Sequence, residues 1–462
     1  MPSLIRWHYN YDIAINNFIR DGAIVINTKQ KIPRKLSFMS IYFLGINGIV
    51  GSGAFLLPQE IYKDMNLTGV LVMLFAAVTV SLIALCYADL ASRFSNSGAA
   101  WIYSYNAFGR FWGYEVGIFV WFMGCCTLAA ETVALLTTLK SFLPIFNNNW
   151  LYYSSVFGLI IFFAIVNFFG RRIVKALDNL SSAAKMLTII IFIVVGIFFI
   201  HFTNFSPVIP KTATTGLMPF AKHFGAAFSV TFYMFAGFSF IPIAAKQMKN
   251  PEKNIPKVLV TVMLSVTILY ALMMVVAIGI LGPATAKYST PIAHAFKNGV
   301  GEWGYILVII GMLISIFGVA FAISFDTPSL LSSLASEHRM LPKWIGKKNK
   351  YDAPWVAVLV TAIVALFLVT QSYIFLVSCI VLASFVQYVP SILSVIKFEH
   401  TGQFPSNGFK LPGKDVIPVV ALIISAYMIT NFTIKTLMVA VVVAALAALS
   451  YFCMKRYNEK QH

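Results

Sequence analysis

The segment Gly-Ser-Gly-Ala-Phe at residues 51–55 lies in the middle of an apolar run that extends from about residue 36 to residue 62. A run of this length can cross a bilayer as a helix, which needs about 20 apolar residues. Glycine and serine at its centre predict that the helix opens there. Irregular backbone at this depth is tolerated only where protein buries it or a water-filled cavity solvates it. The break is therefore a candidate binding site, and the N–H groups of the restarting helix suit a carboxylate. These features predict a carrier of small anionic or zwitterionic solutes.

The composition is that of a membrane protein. Of the 462 residues, 59% are hydrophobic, only 11% are charged, and 41 are phenylalanine. A soluble domain of this size carries about 25% charged residues. The net charge of +18 comes from basic residues in short loops between apolar runs, where they act as topology signals. We therefore expect the protein to lie in a lipid bilayer and to have no nucleic acid partner.

The hydrophobic pattern predicts about twelve spans, each of about 20 or more largely apolar residues. They lie near residues 38–62, 68–92, 113–142, 150–169, 178–202, 219–247, 256–281, 304–334, 354–371, 373–397, 415–433 and 435–454.

Basic residues concentrate in alternate loops. They occur at 20–35, 171–175, 246–257 and 343–350, whereas the intervening loops carry little positive charge. The positive-inside rule then predicts that both termini are cytoplasmic. No cleavable signal peptide is expected, so residues 1–35 form a retained cytoplasmic arm.

A second interruption lies in the sixth span. Phe235-Ala236-Gly237-Phe238 is followed by Pro242, so glycine and proline again break an apolar helix. Five spans separate the two breaks, which would place the two halves in inverted orientation. Their broken helices would then meet near the membrane midplane, as in inverted-repeat transporters.

Several motifs together resemble one family. Gly-Ile-Val-Gly-Ser-Gly-Ala-Phe at 48–55 resembles the first-span signature of the amino acid, polyamine and organocation superfamily of permeases. The segments at 87–109 and 235–256 resemble its loop into the third span and its sixth span with the following loop. The resemblance implies an all-α integral membrane protein with a five-plus-five inverted repeat of the leucine-transporter type, broken first and sixth helices and two extra C-terminal helices. The repeats would comprise residues 36–202 (spans 1–5) and 203–398 (spans 6–10), and residues 399–462 would carry spans 11 and 12 and a cytoplasmic tail.

The resemblance also implies a substrate site. An amino acid carboxylate would bind the N–H groups of Ser52 and Gly53, and its ammonium would bind carbonyl groups of Ile49 and of Phe235 or Ala236. Tyr233 would cover the substrate. The whole predicted substrate-binding set is Ile49, Gly51, Ser52, Gly53, Tyr233, Phe235, Ala236 and Ser239. Ser239 stands where many family members carry an acidic residue, and Lys246 and Gln247 also replace family acids, so any role that depends on those carboxylates is in doubt.

Three charged residues within predicted spans stand out, and two of them are Glu131, deep in the third span, and Lys185 in the fifth. A charge at the bilayer centre costs about 2.5 to 3.5 kcal/mol on insertion scales, so each requires an explanation. Lys185 aligns with a lysine that stands in for a sodium ion in many sodium-independent members of the family, and some proton-coupled members pair it with a third-span glutamate. Burial disfavours the charged form of both groups, which makes them candidate proton sites. The alternative is a static buried ion pair.

Asp326 in the eighth span has no clear family role. It could bind a cationic substrate group, add a proton site, or lie near the inner end of its helix in contact with water, and we favour the last. Asp89 is expected to be structural, either as a cap or as a partner of Arg93 at the cytoplasmic end of the second span.

The predicted function is a permease that moves amino acids across the bacterial cytoplasmic membrane, independently of sodium and coupled to protons. An antiporter of an amino acid for an amine or another amino acid is the main alternative, and an ion-uptake protein of the same fold is less favoured. The pattern of histidines and the five cysteines (Cys86, Cys125, Cys126, Cys379 and Cys453) indicates no metal site and no disulfide framework. We expect no enzymatic activity and no cofactor; the sequence leaves the oligomeric state open.

Overall fold

A computed structural model describes residues 37–94, 99–169, 174–239, 241, 250–336, 340–406 and 409–459. The predicted N-terminal arm, residues 171 and 172, and the loop with Lys246 and Gln247 lie outside these ranges. Every regular element within them is a helix. In chain order the α-helices are α1 Phe38–Ile49, α2 Ser52–Leu56, α3 Pro58–Met65, α4 Gly69–Arg93, α5 Ala99–Phe108, α6 Arg110–Phe142, α7 Asn149–Asn167, α8 Val174–Gly196, α9 Leu217–Met234, α10 Pro251–Leu281, α11 Pro291–Val300, α12 Glu302–Ser336, α13 Trp355–Leu368, α14 Tyr373–Thr401, α15 Val416–Ile429 and α16 Ile434–Glu459.

The helices confirm an all-helical membrane architecture. By length and composition, eight helical segments of the described chain could each cross a membrane, and three shorter apolar helices, α1, α13 and α15, accompany them. Each of the predicted spans overlaps at least one of these α-helices. The number of crossings and the repeat layout remain predictions.

The first span opens where glycine and serine interrupt it. Helix α1 begins at its cap Ser37, whose side chain accepts a hydrogen bond from the Ser40 N–H, and the chain is extended at Val50 and Gly51 before α2 begins. A β-carbon at Gly51 would lie 2.8 Å from Glu131 Oε1, so glycine is required for this close approach. The opening of the helix therefore brings its backbone against α6.

The sixth span opens beside the first. Helix α9 ends at Met234, and Gly237 adopts a φ of +104°, a conformation that favours glycine. A β-carbon at Gly237 would overlap the carbonyl oxygen of Gly48. The turn after α9 thus packs directly against the end of α1.

Helix α6 is the central element of the fold. It packs along α12 and α14. Of an apolar 18-residue segment of α6, 83% is buried, compared with 6% of the corresponding segment of α16. Helix α16 therefore presents most of its apolar surface outward, where lipid would cover it.

A polar cluster ties the end of α4 to α14. The Arg93 Nε donates to Asp89 Oδ2 at 2.7 Å, and Arg93 Nη2 donates to Glu399 Oε2 at 2.8 Å. The expected pairing of Asp89 with Arg93 is confirmed. All five cysteines are free thiols.

Candidate functional site

The first-span break binds a carboxylate of the protein itself. The Ser52 hydroxyl donates to Glu131 Oε1 at 2.9 Å, and the Ser52 N–H lies 3.3 Å from both Glu131 oxygens. Ser52 is fully buried, and Glu131 is 2% exposed. Backbone and hydroxyl donors thus converge on one carboxylate in an apolar interior, which is how a buried negative charge is stabilised.

The other side of the break binds an ammonium group. The Lys185 Nζ donates to the carbonyl oxygen of Val50 at 2.7 Å and to that of Asn47 at 3.2 Å. Lys185 is fully buried. The end of α1 leaves these carbonyls without helical partners, and the ammonium supplies them with hydrogen bonds. Lys185 also lies within electrostatic range of Glu131.

Tyr233 closes the site from α9. Its hydroxyl donates to Glu131 Oε1 at 3.3 Å. Its ring faces Gly53 so closely that a β-carbon there would lie 3.0 Å from Tyr233 Cε1. The aromatic ring predicted to cover the substrate therefore lies over the start of α2.

Two tyrosines that sequence reasoning missed also reach the break. The hydroxyl of Tyr373, the first residue of α14, lies 2.8 Å from Ser52 Oγ. The Tyr270 hydroxyl on α10 donates to the carbonyl oxygen of Ile49 at 3.4 Å. Neither residue has a distinctive sequence motif. Tyr373 stands at the edge of a predicted span, where aromatic residues are common as interfacial anchors.

Three further residues of the predicted site, Phe235, Ala236 and Ser239, follow Tyr233 in the chain. Phe235 is fully buried, and its ring packs against Tyr270 at 5.4 Å between centroids. The Ala236 N–H donates to the Tyr233 carbonyl oxygen at 2.9 Å. Ser239 is 5% exposed and lies near the Tyr388 hydroxyl on α14. Its place in the substrate site remains a prediction.

Asp326 lies on an exposed face of α12. The neighbouring Thr327 points the other way, into α6, where a β-carbon at Gly124 would collide with it. The Asp326 and Thr327 side chains therefore lie on different faces of α12. Among the described residues, no group of three or more His, Cys, Asp or Glu side chains is arranged to hold a metal ion.

The arrangement defines a class of protein. Two broken helices meet inside an apolar helical bundle, and one of the breaks presents hydrogen-bond donors to a carboxylate and carbonyls to an ammonium. Broken helices that expose backbone polar groups in the membrane interior are typical of secondary transporters.

Comparison with known proteins agrees with this class. Residues 36–454 match the family model described as amino acid permease. The chain is 28% identical to an uncharacterized transporter of Mycobacterium tuberculosis over 88% of this chain and 89% of the relative. It is 24% identical to the branched-chain amino acid permease BcaP of Bacillus subtilis, covering 96% of this chain and 97% of that protein. A methylthioribose transporter of Bacillus subtilis is also 24% identical, over 92% and 94% of the two chains.

The chain therefore belongs to the amino acid permease family, within the amino acid, polyamine and organocation superfamily. The family match confirms the resemblance seen in the motifs. It identifies the protein as an integral membrane transporter of the plasma membrane.

Proposed function

We propose that the chain is a secondary active transporter that takes up amino acids by alternating access, independently of sodium and coupled to protons. One observation carries this proposal. The first-span break holds a carboxylate, from Glu131, on its N–H side and an ammonium, from Lys185, on its carbonyl side. These are the two charged groups of an amino acid, so the backbone at the break has the polarity needed to bind a zwitterion.

Sodium independence is supported by the position of Lys185. Its ammonium donates to two carbonyls freed at the end of α1, where a bound cation would otherwise be needed to compensate them. A fixed ammonium provides that positive charge without a sodium ion. In this proposal Lys185 and Glu131 form the proton-linked pair, and they lie within electrostatic range of each other.

Alternating access is supported by where the polar contacts lie. The first, second, sixth and seventh spans would form a bundle that rocks against the remaining helices around the site. The contacts of Ser52 with Glu131 and Tyr373, and that of Lys185 with Val50, join the first span to α6, α14 and α8. These hydrogen bonds would have to break and reform as the bundle moves.

The substrate is proposed from the site chemistry together with the family. The permease BcaP is named for branched-chain amino acids, which favours neutral amino acids as the first compounds to test. Because another relative is named for methylthioribose, that sugar belongs in the same panel.

Uptake into proteoliposomes tests the proposal. The native chain and Lys185→Ala are reconstituted without sodium, and labelled amino acids, amines and methylthioribose are offered with an inward proton gradient imposed or collapsed. Lys397→Ala is the matched control, because Lys397 also donates to a main-chain carbonyl, that of Ala107, but is exposed and distant in sequence from the break.

The expected result is gradient-driven accumulation of an amino acid by the native chain and by Lys397→Ala but not by Lys185→Ala. Uptake that requires amino acid or amine inside the vesicles would identify an exchanger and overturn proton symport. Absence of uptake across the panel in both modes would overturn the amino acid proposal.

A further inference from the structure

The Glu131 carboxylate occupies the Ser52 donors, which the predicted site assigns, together with the Gly53 N–H, to the substrate carboxylate. Its oxygens lie at 2.9 Å from the Ser52 hydroxyl and at 3.3 Å from the Ser52 N–H. Resting on that proposed function, we propose that Glu131 is a tethered competitor of the substrate: its carboxylate and the substrate carboxylate bind the Ser52 donors in turn and never together.

The Ser52 donors cannot serve two carboxylates at once. Ser52 offers one N–H and one hydroxyl hydrogen, and the hydroxyl oxygen is also within 2.8 Å of the Tyr373 hydroxyl. On the other side, Glu131 Oε1 lies so close to Gly51 that a single added β-carbon would stand 2.8 Å from it. A second carboxylate at Ser52 would find these donors already taken by Glu131 and would be repelled by a like charge in a buried site.

Protonation of Glu131 removes both obstacles. A neutral carboxyl group accepts weaker hydrogen bonds than a carboxylate, and it no longer repels the incoming anion. Substrate binding is then linked to uptake of one proton at Glu131. The other charged or titratable groups that face Glu131 are Lys185 on α8, Tyr233 on α9, Tyr270 on α10 and Tyr373 on α14.

Competition for Ser52 also sets a rule for selectivity. A ligand with a carboxylate has to displace Glu131, so its affinity depends on the protonation of that residue. An amine without a carboxylate does not need the Ser52 donors and binds with Glu131 in place. Binding should therefore depend on pH for ligands that carry a carboxylate and not for ligands that lack one.

Equilibrium binding to the purified full chain tests this inference. The affinity for the amino acid with the highest uptake, and for its decarboxylated amine, is measured from about pH 5 to about pH 8, over which an α-carboxylate with a pKa of about 3.5 stays ionised. The variants are Glu131→Gln, which keeps the size of the side chain without the charge, and Glu115→Gln. Glu115 is the matched control, because it is a 7% exposed carboxylate on the same helix α6. It lies 16 residues earlier, about 24 Å along the helix axis at about 1.5 Å per residue.

For the native chain and Glu115→Gln, the amino acid Kd should rise on the alkaline side toward a limit of about tenfold per pH unit, as expected for one linked proton. Glu131→Gln should bind the amino acid tightly and with no pH dependence, and the amine should show no such rise in any variant. A flat profile for the native chain, an equal slope for the amine, or an unchanged slope in Glu131→Gln would each overturn the competition. If Glu131→Gln does not fold, the pH dependence of the Kd of the native chain for the amino acid and for the amine still tests the competition.

Failure of the proposed function is distinguishable from these outcomes. If the native chain neither binds nor transports any amino acid of the panel at any pH, amino acid transport is overturned and the inference falls with it. If the native chain transports an amino acid but its Kd for that amino acid does not change with pH, only the competition is overturned.

Discussion

The backbone of Gly237 lies directly against the carbonyl oxygen of Gly48, so the two helix breaks of this permease are packed backbone to backbone. Gly237 has a φ of +104° and no side chain to hold the two segments apart. Close approach of two backbones is the usual reason for glycine in membrane helices. The position of the sixth-span turn over the end of α1 therefore depends on this one residue.

Gly237→Ala should abolish or strongly reduce uptake. Alanine would be strained at this φ by about 1 to 2 kcal/mol and would also collide with the Gly48 carbonyl. Gly109→Ala is the control, because Gly109 has a similar φ of +91° but no atom within 4 Å of an added β-carbon. The measurements are the yield of monodisperse protein in detergent and initial uptake rates. Equal behaviour of the two variants would contradict the proposed backbone contact.

Tyr373→Phe should weaken the contact between α14 and the first-span break. The change removes the hydroxyl that lies 2.8 Å from Ser52 Oγ and links α14 to the first-span break. A hydrogen bond such as this partly buried one contributes about 1 kcal/mol, so we expect a lower apparent melting temperature and a change of about fivefold in the KM for uptake. Tyr427→Phe serves as control, because the Tyr427 hydroxyl is on an exposed side chain. A native KM in Tyr373→Phe would exclude a role for this hydroxyl in the transport cycle.

The helix breaks were predictable from sequence because their signal is local. Glycine and serine inside an apolar run, or glycine followed by proline, mark a break without any knowledge of the neighbours. The buried charges Glu131 and Lys185 were equally visible, since ionisable residues in apolar spans are rare.

The hydrogen-bond partners of Glu131 could not be predicted, because hydropathy does not fix helix rotation. The sequence indicates Glu131 as a partner or relay of Lys185, which stays a prediction, and it gives no sign that the Glu131 carboxylate accepts hydrogen bonds from Ser52. Tyr270 and Tyr373 reach the break only through the packing of α10 and α14, and no local motif marks them. Ser239 follows the sixth-span break and lies near the Tyr388 hydroxyl, and its role in the substrate site stays a prediction.

Arg93→Met should destabilise the protein strongly. The Arg93 and Asp89 side chains are 5% and 1% exposed, and Arg93 also binds Glu399. Removing one partner of a buried ion pair leaves the other charge uncompensated and costs about 3 to 5 kcal/mol. Unfolding in mixed micelles measures the loss.

Lys63→Met is the control for Arg93→Met. Lys63 pairs with Glu60, but their side chains are 42% and 27% exposed, and such a pair contributes about 0 to 1 kcal/mol. If Arg93→Met lowers the free energy of unfolding no more than Lys63→Met does, Asp89 is stabilised by other contacts.

His294→Phe should remove an acid-sensitive component of stability. The imidazole stacks on Tyr288 at 3.9 Å between centroids and packs edge-on against Tyr305, and its Nδ1 lies 3.0 Å from the Thr290 carbonyl oxygen. Burial lowers the pKa of His294 below its usual value of 6.5, although the hydrogen bond to Thr290 acts in the opposite direction. The unfolded chain therefore binds a proton more readily than the folded protein, so stability rises with pH and is lost as the pH falls below about 6.5.

The apparent melting temperature of His294→Phe, compared at about pH 7.5 and about pH 5.5 on either side of the histidine pKa, should therefore fall less on acidification than that of the native chain. Phenylalanine retains the ring contacts with both tyrosines, so the comparison isolates the ionisation. His201→Phe is the control, because His201 is exposed and its removal should leave the native acid sensitivity intact. If His294→Phe and the native chain lose the same stability on acidification, the acid-sensitive group lies elsewhere, and α11 is insensitive to pH over this range.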